Sequence, residues 1–354
     1  MPAVKDSVWR ERNTTPAEIE AAMRRLLNER FAEASGYVPS RALNMVCLVD
    51  RAWSGEIANR LRGVGRYHAS RTVVLSLDPK RTQIDATATI ASDVEPRPGE
   101  FTPLRETIVV EIGERHLANL DSIVDPLVVT DLPTVVWSPH GHSESLDGLL
   151  GIAQVVLLDT VDEPDVAEGL QQACDLTRRV YVVDLAWLRS TPWRERVAAT
   201  FDPPKLRPEL RTISAVTVRH HPESAAAALL LVGWLGARLD WRLSPLVARD
   251  SVLRGSAHAR RQDVALRLEP EPRQQVRGLA GVTLETASGR HLSLDRGPGG
   301  LRAHYTNRRG DERTWTVVGA SRGEPGILGE GIRQALLRDP TYAPALAAAN
   351  TLVP

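Results

Sequence analysis

The sequence predicts an α/β protein of two domains: an N-terminal α/β domain on a mostly parallel or mixed sheet, followed by a smaller α+β domain with an antiparallel sheet. Three observations carry this reading. The chain has 354 residues, beyond the length at which one hydrophobic core usually stops growing. From about residue 41 onward, short β-branched runs alternate with helical segments, the pattern of strands joined by crossover helices. Past the proline- and charge-rich stretch FDPPKLRPEL at 201–210, apolar and polar residues alternate between Gly, Pro and Asn turns, as in an antiparallel meander.

Taken in order, the elements support that division. Thr14-Thr15-Pro16 followed by AEIEAAMRRLLNERF offers an N-cap, a proline in the first turn, and Ile19, Met23, Leu26 and Leu27 at helical spacing. This predicts an amphipathic helix in an N-terminal arm over 1–35, free to pack on its own domain or on another chain. The α/β domain, 36–205, opens with RALNMVCLVD, the helical SGEIANRLRGVG and SRTVVLSL, continues through QIDATATIA and RETIVVEI, and closes with LPTVVWS, AQVVLLD, a helix from Glu163 and RVYVVDL. Unalternated VVL and VVD runs suit strands covered on both faces. Between Leu77 and Phe101 the spacing leaves room for a hairpin excursion. The α+β domain, 206–354, contains RTISAVTVRH, the apolar helix AAAALLLVGWLGA, a set of alternating strands and two C-terminal helical stretches broken at Asp339-Pro340.

Composition narrows the function classes. Hydrophobic residues make up 42% and charged residues 25%, with Lys+Arg and Asp+Glu equal at 44. Zero net charge lacks the basic surplus that nucleic-acid binding draws on, so no nucleic-acid partner is expected. The longest apolar run, at 225–237, is shorter than the ~20 residues of a spanning helix, and the charged N-terminus offers no secretory signal. A cytoplasmic protein with no membrane partner is expected. The two cysteines, Cys47 and Cys174, have neither CxxC nor zinc spacing, so no metal is expected.

The motif TVVWSPHGH at 134–142 is the richest stretch. If VVW ends a parallel strand, SPHGH lies where open α/β sheets place ligands. Ser138 lacks the glycines of a nucleophile elbow, and His140 and His142 lack a third metal ligand nearby; loop hydrogen bonding, with Ser143 as a helix N-cap, accounts for these residues as well. Gly63-Val64-Gly65 follows a helix and precedes a strand, the reverse of a dinucleotide cradle. His68, Ser70 and Arg71 in YHASR are a possible anion site or ordinary loop residues. Asp159, Asp162, Glu163 and Asp165 read as helix-start residues, and DRGPGG as a turn. Trp187 and Trp193, with Arg194 beside them in DLAWLRSTPWRERV, are either core or interface anchors, Trp and Arg being the types enriched at binding hot spots.

Together RALNMVCLVD, SRTVVLSLDP, LPTVVWSPHGH, VVLLDT, DLAWLRSTPWRERVAATFD, GWLGARLDW and GIRQALLRDPTYAPAL resemble the bacterial glucose-6-phosphate dehydrogenase assembly protein family, OpcA. The likeness covers nearly the whole chain; residues before about 12 and around 251–262 carry little of it. PTVVWSPHGH and LAWLRSTPWRERVAATFD are its most specific parts. The resemblance implies a non-catalytic partner of glucose-6-phosphate dehydrogenase, without catalytic residues or cofactor, that supports its assembly or activity in the pentose phosphate pathway. On this reading Trp137, His140, His142, Trp187, Trp193 and Arg194 are the expected contact residues, a choice that the resemblance does not itself make. Some relatives are linked to thiol control, for which Cys47 and Cys174 form no evident pair. The alternative is a sugar-phosphate-binding enzyme or sensor using the YHASR and SPHGH loops.

Overall fold

Apolar runs without polar alternation become the central strands of the first sheet, because both of their faces are covered. A computed structural model describes residues 6–33, 37–39, 41–64, 70–92, 102–139, 142–260, 262–318 and 323–354. The chain divides into two units: Met1–Leu158 with Arg179–Val183 and Leu328–Leu337, and Asp159–Arg178 with Asp184–Ile327 and Arg338–Pro354. The sequence places the domain boundary near 205; the contacts divide the chain first after Leu158.

The first sheet and its helices run β1 (Ser7–Glu11), α1 (Pro16–Glu33), β2 (Tyr37–Pro39), β3 (Leu43–Asp50), α2 (Arg51–Val64), β4 (Ser70–Leu77), β5 (Asp85–Ala91), β6 (Thr102–Ile112), α3 (Leu120–Val124), β7 (Thr134–Trp137), α4 (Ser143–Leu146), β8 (Val155–Leu158) and β9 (Tyr181–Asp184). Spatially the strands lie in the order β1-β5-β6-β4-β3-β7-β8-β9, with β2 on β6. The pairs β6–β4, β4–β3, β3–β7 and β7–β8 are parallel. Counted from β3, with β5 set aside as an insertion, the order is 3-2-1-4-5-6, the doubly wound order whose switch point falls beside the first strand, here between β3 and β7. β5 is the anticipated excursion, antiparallel to β6. The N-terminal segment is part of this sheet: β1 pairs antiparallel with β5, Trp9 opposite Ala88, and α1 buries Ile19, Met23, Leu26 and Leu27. Its Glu18 carboxylate accepts from the Thr15 backbone N–H at 2.8 Å and closes the helix start.

The second sheet and its helices comprise α5 (Val166–Thr177), α6 (Leu185–Arg189), α7 (Thr191–Phe201), β10 (Ile213–His220), α8 (Ala225–Leu239), β11 (Arg242–Leu243), β12 (Val247–Arg249), β13 (Val252–Ala259), β14 (Gln262–Pro270), β15 (Leu279–Thr286), β16 (His291–Gly297), β17 (Gly300–Thr306), β18 (Glu312–Val318) and, after α9 (Gly323–Ala335), most of which belongs to the first unit, α10 (Tyr342–Asn350). Its order is β11-β13-β14-β10-β15-β16-β17-β18, with β12 on β13. Among the described residues both sheets have nine strands, so the second sheet is no smaller than the first. It is antiparallel except that β10 runs parallel to β14, a pairing that local alternation does not encode. DRGPGG makes the β16–β17 turn, with Gly299 at φ +76°. The apolar run at 225–237 lies within α8, whose buried residues run from Ala226 to Gly236. α8 and α10 approach so closely at Gly233 that a Cβ there would stand 2.3 Å from the Ala345 carbonyl oxygen.

Candidate functional site

The doubly wound order directs attention to the carboxyl ends of β3 and β7, because such sheets take ligands at the switch point. A dinucleotide there needs a glycine-rich turn between β3 and the following helix, so that backbone N–H groups approach the phosphates. No such turn exists: β3 ends at Asp50, α2 begins at Arg51, and Gly55 lies inside the helix. Asp78, just beyond β4, stands where such a fold supplies an acid for a ribose hydroxyl. Here it accepts from Arg51 Nη1 at 2.7 Å, and that bond holds the Asp78 carboxyl below the usual carboxylate range. The residues present therefore do not fit a dinucleotide.

The β7 loop closes on the same edge. His142 has φ +63°, a left-handed conformation uncommon for a residue with a Cβ. It stands 2.9 Å, Nε2 to Oδ1, from Asp50, which ties the loop to the end of β3. Ser138 Oγ donates to the Leu48 carbonyl at 3.4 Å. Ser143 is the first residue of α4, and His142 occupies the cap position without a side-chain capping bond, so the capping assigned to Ser143 is corrected. Trp137 is 4% exposed and lies beside Cys47 in the parallel register. His140 lies outside the described residues. Trp53, which the sequence reading passed over, is 45% exposed in the first turn of α2. It continues the i, i+4 stripe of the buried Ile57 and Leu61 by one more turn, and that spacing was the available signal.

In the second unit, Trp187, Trp193 and Arg194 come together as core. Trp187 and Trp193 are 2% and 1% exposed, so neither indole is a surface anchor in this state. Trp187 Nε1 donates to Asp339 Oδ2 at 2.8 Å, and its ring lies 5.6 Å from that of Tyr342. The Arg194 guanidinium sits 3.4 Å from the Trp187 ring centroid and donates from Nε to Ser190 Oγ at 3.0 Å and from Nη2 to Thr191 Oγ1 at 2.9 Å. Burial pushes Arg194 down to about 10. Its stacking on an indole supplies the contact that solvent would otherwise make.

Beside this cluster lie two buried acids whose burial the sequence did not reveal. Asp184 accepts from Thr160 N at 3.2 Å, Thr160 Oγ1 at 2.9 Å, Ala186 N at 2.9 Å and Tyr342 OH at 3.1 Å. Burial nonetheless raises its pKa. Asp159, 2.7 Å from Arg189 Nη1, is pushed up to about 7, chiefly by burial. Asp165 does serve as a helix cap, accepting from Ala167 N and Glu168 N.

The anion site expected at His68, Ser70 and Arg71 is not assembled by the described residues. His68 lies outside them. Ser70 Oγ is 3.2 Å from Thr72 Oγ1. Arg71 is buried, donating to Glu106 Oε2 at 2.7 Å and to the Leu127 carbonyl at 3.3 Å, so its guanidinium is held inside the protein, on a carboxylate that it shares with Arg41. Ser70 and Arg71 also begin β4, at the sheet edge opposite the ligand crevice. Burial raises the pKa of both Cys47 and Cys174, which disfavours thiolates. Among the described residues no cluster of three metal-ligating side chains occurs, and no helix is long and apolar enough to cross a membrane.

These features define a two-unit α/β protein on a dinucleotide-type sheet whose cradle position is taken by side chains. Residues 62–175 match the family model described as the glucose-6-phosphate dehydrogenase subunit N-terminal domain, and residues 180–346 match the corresponding C-terminal domain. The chain belongs to the OpcA family. OxPP cycle proteins OpcA of Synechocystis sp. and Nostoc punctiforme are 29% and 30% identical over 129 and 130 residues, which is 35% and 36% of this chain. The matched stretch spans only 27% and 28% of those relatives. Among solved structures, the WlbA dehydrogenase of Thermus thermophilus aligns over 88% of this chain and 96% of its own, at 15% identity and a TM-score of 0.46. The oxidoreductase yvaA of Bacillus subtilis aligns over 87% and 95%, at 13% identity and 0.46.

Proposed function

We propose that this chain is a non-catalytic partner of glucose-6-phosphate dehydrogenase that binds the enzyme and supports its assembly or activity in the oxidative pentose phosphate cycle. The observation that carries the reading is the pair of family matches over 62–175 and 180–346, both described as domains of a glucose-6-phosphate dehydrogenase subunit. The strand-end crevice supports it, since Arg51–Asp78 and His142–Asp50 occupy the ground that a redox cofactor would need. A partner acts by binding one state of the enzyme better than another, and a tenfold effect requires only ~1.4 kcal/mol of difference. The contact surface in this proposal is the strand-end edge, with Trp53 and His142 in contact and Trp137 holding the loop from beneath. Trp187, Trp193 and Arg194 act through the shape of the fold that they stabilise.

The test is the steady-state rate of the cognate dehydrogenase against glucose 6-phosphate, with and without this chain, alongside co-elution on a sizing column. A complex with lower KM or higher kcat, weakened by Trp53→Ala, is the expected result. No complex and no kinetic change overturns the proposal.

A further inference from the structure

The second unit contains a cavity of about 550 Å³, within the ~300–1,000 Å³ range of small-molecule sites. Arg211 reaches it from the turn ahead of β10, Arg238 and Asp240 from the end of α8, and Arg260 from the β13–β14 hairpin, while Trp241 lines the wall. Gln262 Nε2 donates to the Ile213 and Arg211 carbonyls at 2.6 and 3.5 Å, pinning the hairpin to the turn that carries Arg211. The wall is therefore held in place before any ligand arrives.

Several arginines elsewhere in the chain close on carboxylates, as Arg71 does on Glu106, Arg189 on Asp159 and Arg290 on Glu209. Arg211, Arg238 and Arg260 have no ion pair among the described residues. Asp240 is the one carboxylate on the lining, so three guanidinium groups against one carboxylate leave a surplus of two positive charges. Like charges around one cavity repel, and a bound anion removes that repulsion. A phosphate ester carries about −1.5 to −2 charge near neutral pH on three acceptor oxygens, and guanidinium forks match its geometry.

We propose that this cavity binds a phosphorylated small molecule, with its phosphate on Arg211, Arg238 and Arg260 and the remainder against the Trp241 indole. The proposal is independent of the dehydrogenase reading, and its test uses no dehydrogenase. The full chain is titrated by calorimetry with inorganic phosphate, glucose 6-phosphate and ATP, and tryptophan fluorescence is followed in parallel. The expected result is binding of at least one probe that weakens tenfold or more in Arg238→Gln and in Arg260→Gln, with a fluorescence change lost in Trp241→Phe. Stronger binding of glucose 6-phosphate than of ATP identifies a sugar phosphate, and the reverse identifies a nucleotide. Thermal unfolding of each variant checks that the fold persists; should an arginine variant unfold, Trp241→Phe fluorescence and Arg211→Gln affinity carry the test. No binding of any probe at millimolar concentration overturns the proposal, as does affinity unchanged in every folded arginine variant.

Discussion

Asp184 is the most heavily bonded buried acid in the second unit, and replacing it with alanine measures what the DLAW motif is for. The substitution strands four donors: Thr160 N, Thr160 Oγ1, Ala186 N and Tyr342 OH. A buried donor left unsatisfied costs ~1–3 kcal/mol, so Asp184→Ala should destabilise by at least ~4 kcal/mol, a large part of the ~5–15 kcal/mol that holds a typical fold. Tyr342→Phe removes one donor and leaves the carboxylate with three, for ~1 kcal/mol. In the Asp184→Ala background Tyr342→Phe should cost nothing more, because the stranded hydroxyl is then removed. Urea unfolding of the four chains, followed by far-ultraviolet dichroism, gives the cycle. If Asp184→Ala lies within ~1 kcal/mol of the parent, or if the two substitutions simply add, the network is not what holds this region.

The remaining predictions concern pH, packing and the partner surface. Burial raises Asp159 to about 7, so the folded carboxyl keeps its proton where the unfolded one has lost it; stability should fall as pH rises from ~4 through about 7, and Asp159→Asn should flatten that slope in unfolding midpoints at pH 5 and pH 8. Gly233→Ala drives a methyl against the Ala345 carbonyl at 2.3 Å and should destabilise by ~1–3 kcal/mol. Gly55→Ala, with nothing within 4 Å of the new methyl, should stabilise α2 by ~0.4–1 kcal/mol. Trp187→Ala should lower the melting temperature sharply, as loss of a buried indole costs ~3–5 kcal/mol, whereas Trp53→Ala, at a residue 45% exposed, should lower it far less and weaken co-elution with the dehydrogenase.

Much of the fold was legible in the chain. Unalternated runs such as LNMVCLVD marked covered strands, the spacing of Ile19, Met23, Leu26 and Leu27 marked α1, and the room between Leu77 and Phe101 marked the excursion that became β5. The contact residues were harder to read, because a Trp beside an Arg has the same local signature whether the pair stacks inside a core or waits at a surface. Trp187 and Arg194 stack on each other, while the exposed indole belongs to Trp53, in a helix whose apolar stripe gave no hint of where the sheet edge would end.

The residue order alone determined which segments are strands or helices, the absence of a glycine cradle after β3, and membership of a family through motifs rich in Trp, Pro and His. Those properties depend on local conformational preference and on residue identity, both present before any folding. Tertiary structure decided the rest: the 3-2-1-4-5-6 strand order, the parallel β10–β14 pair, the capture of Arg71 by Glu106, and the gathering of Arg211, Arg238 and Arg260 around one cavity. Each of these joins residues distant in sequence, and periodicity along the chain carries no information about which distant segments will meet.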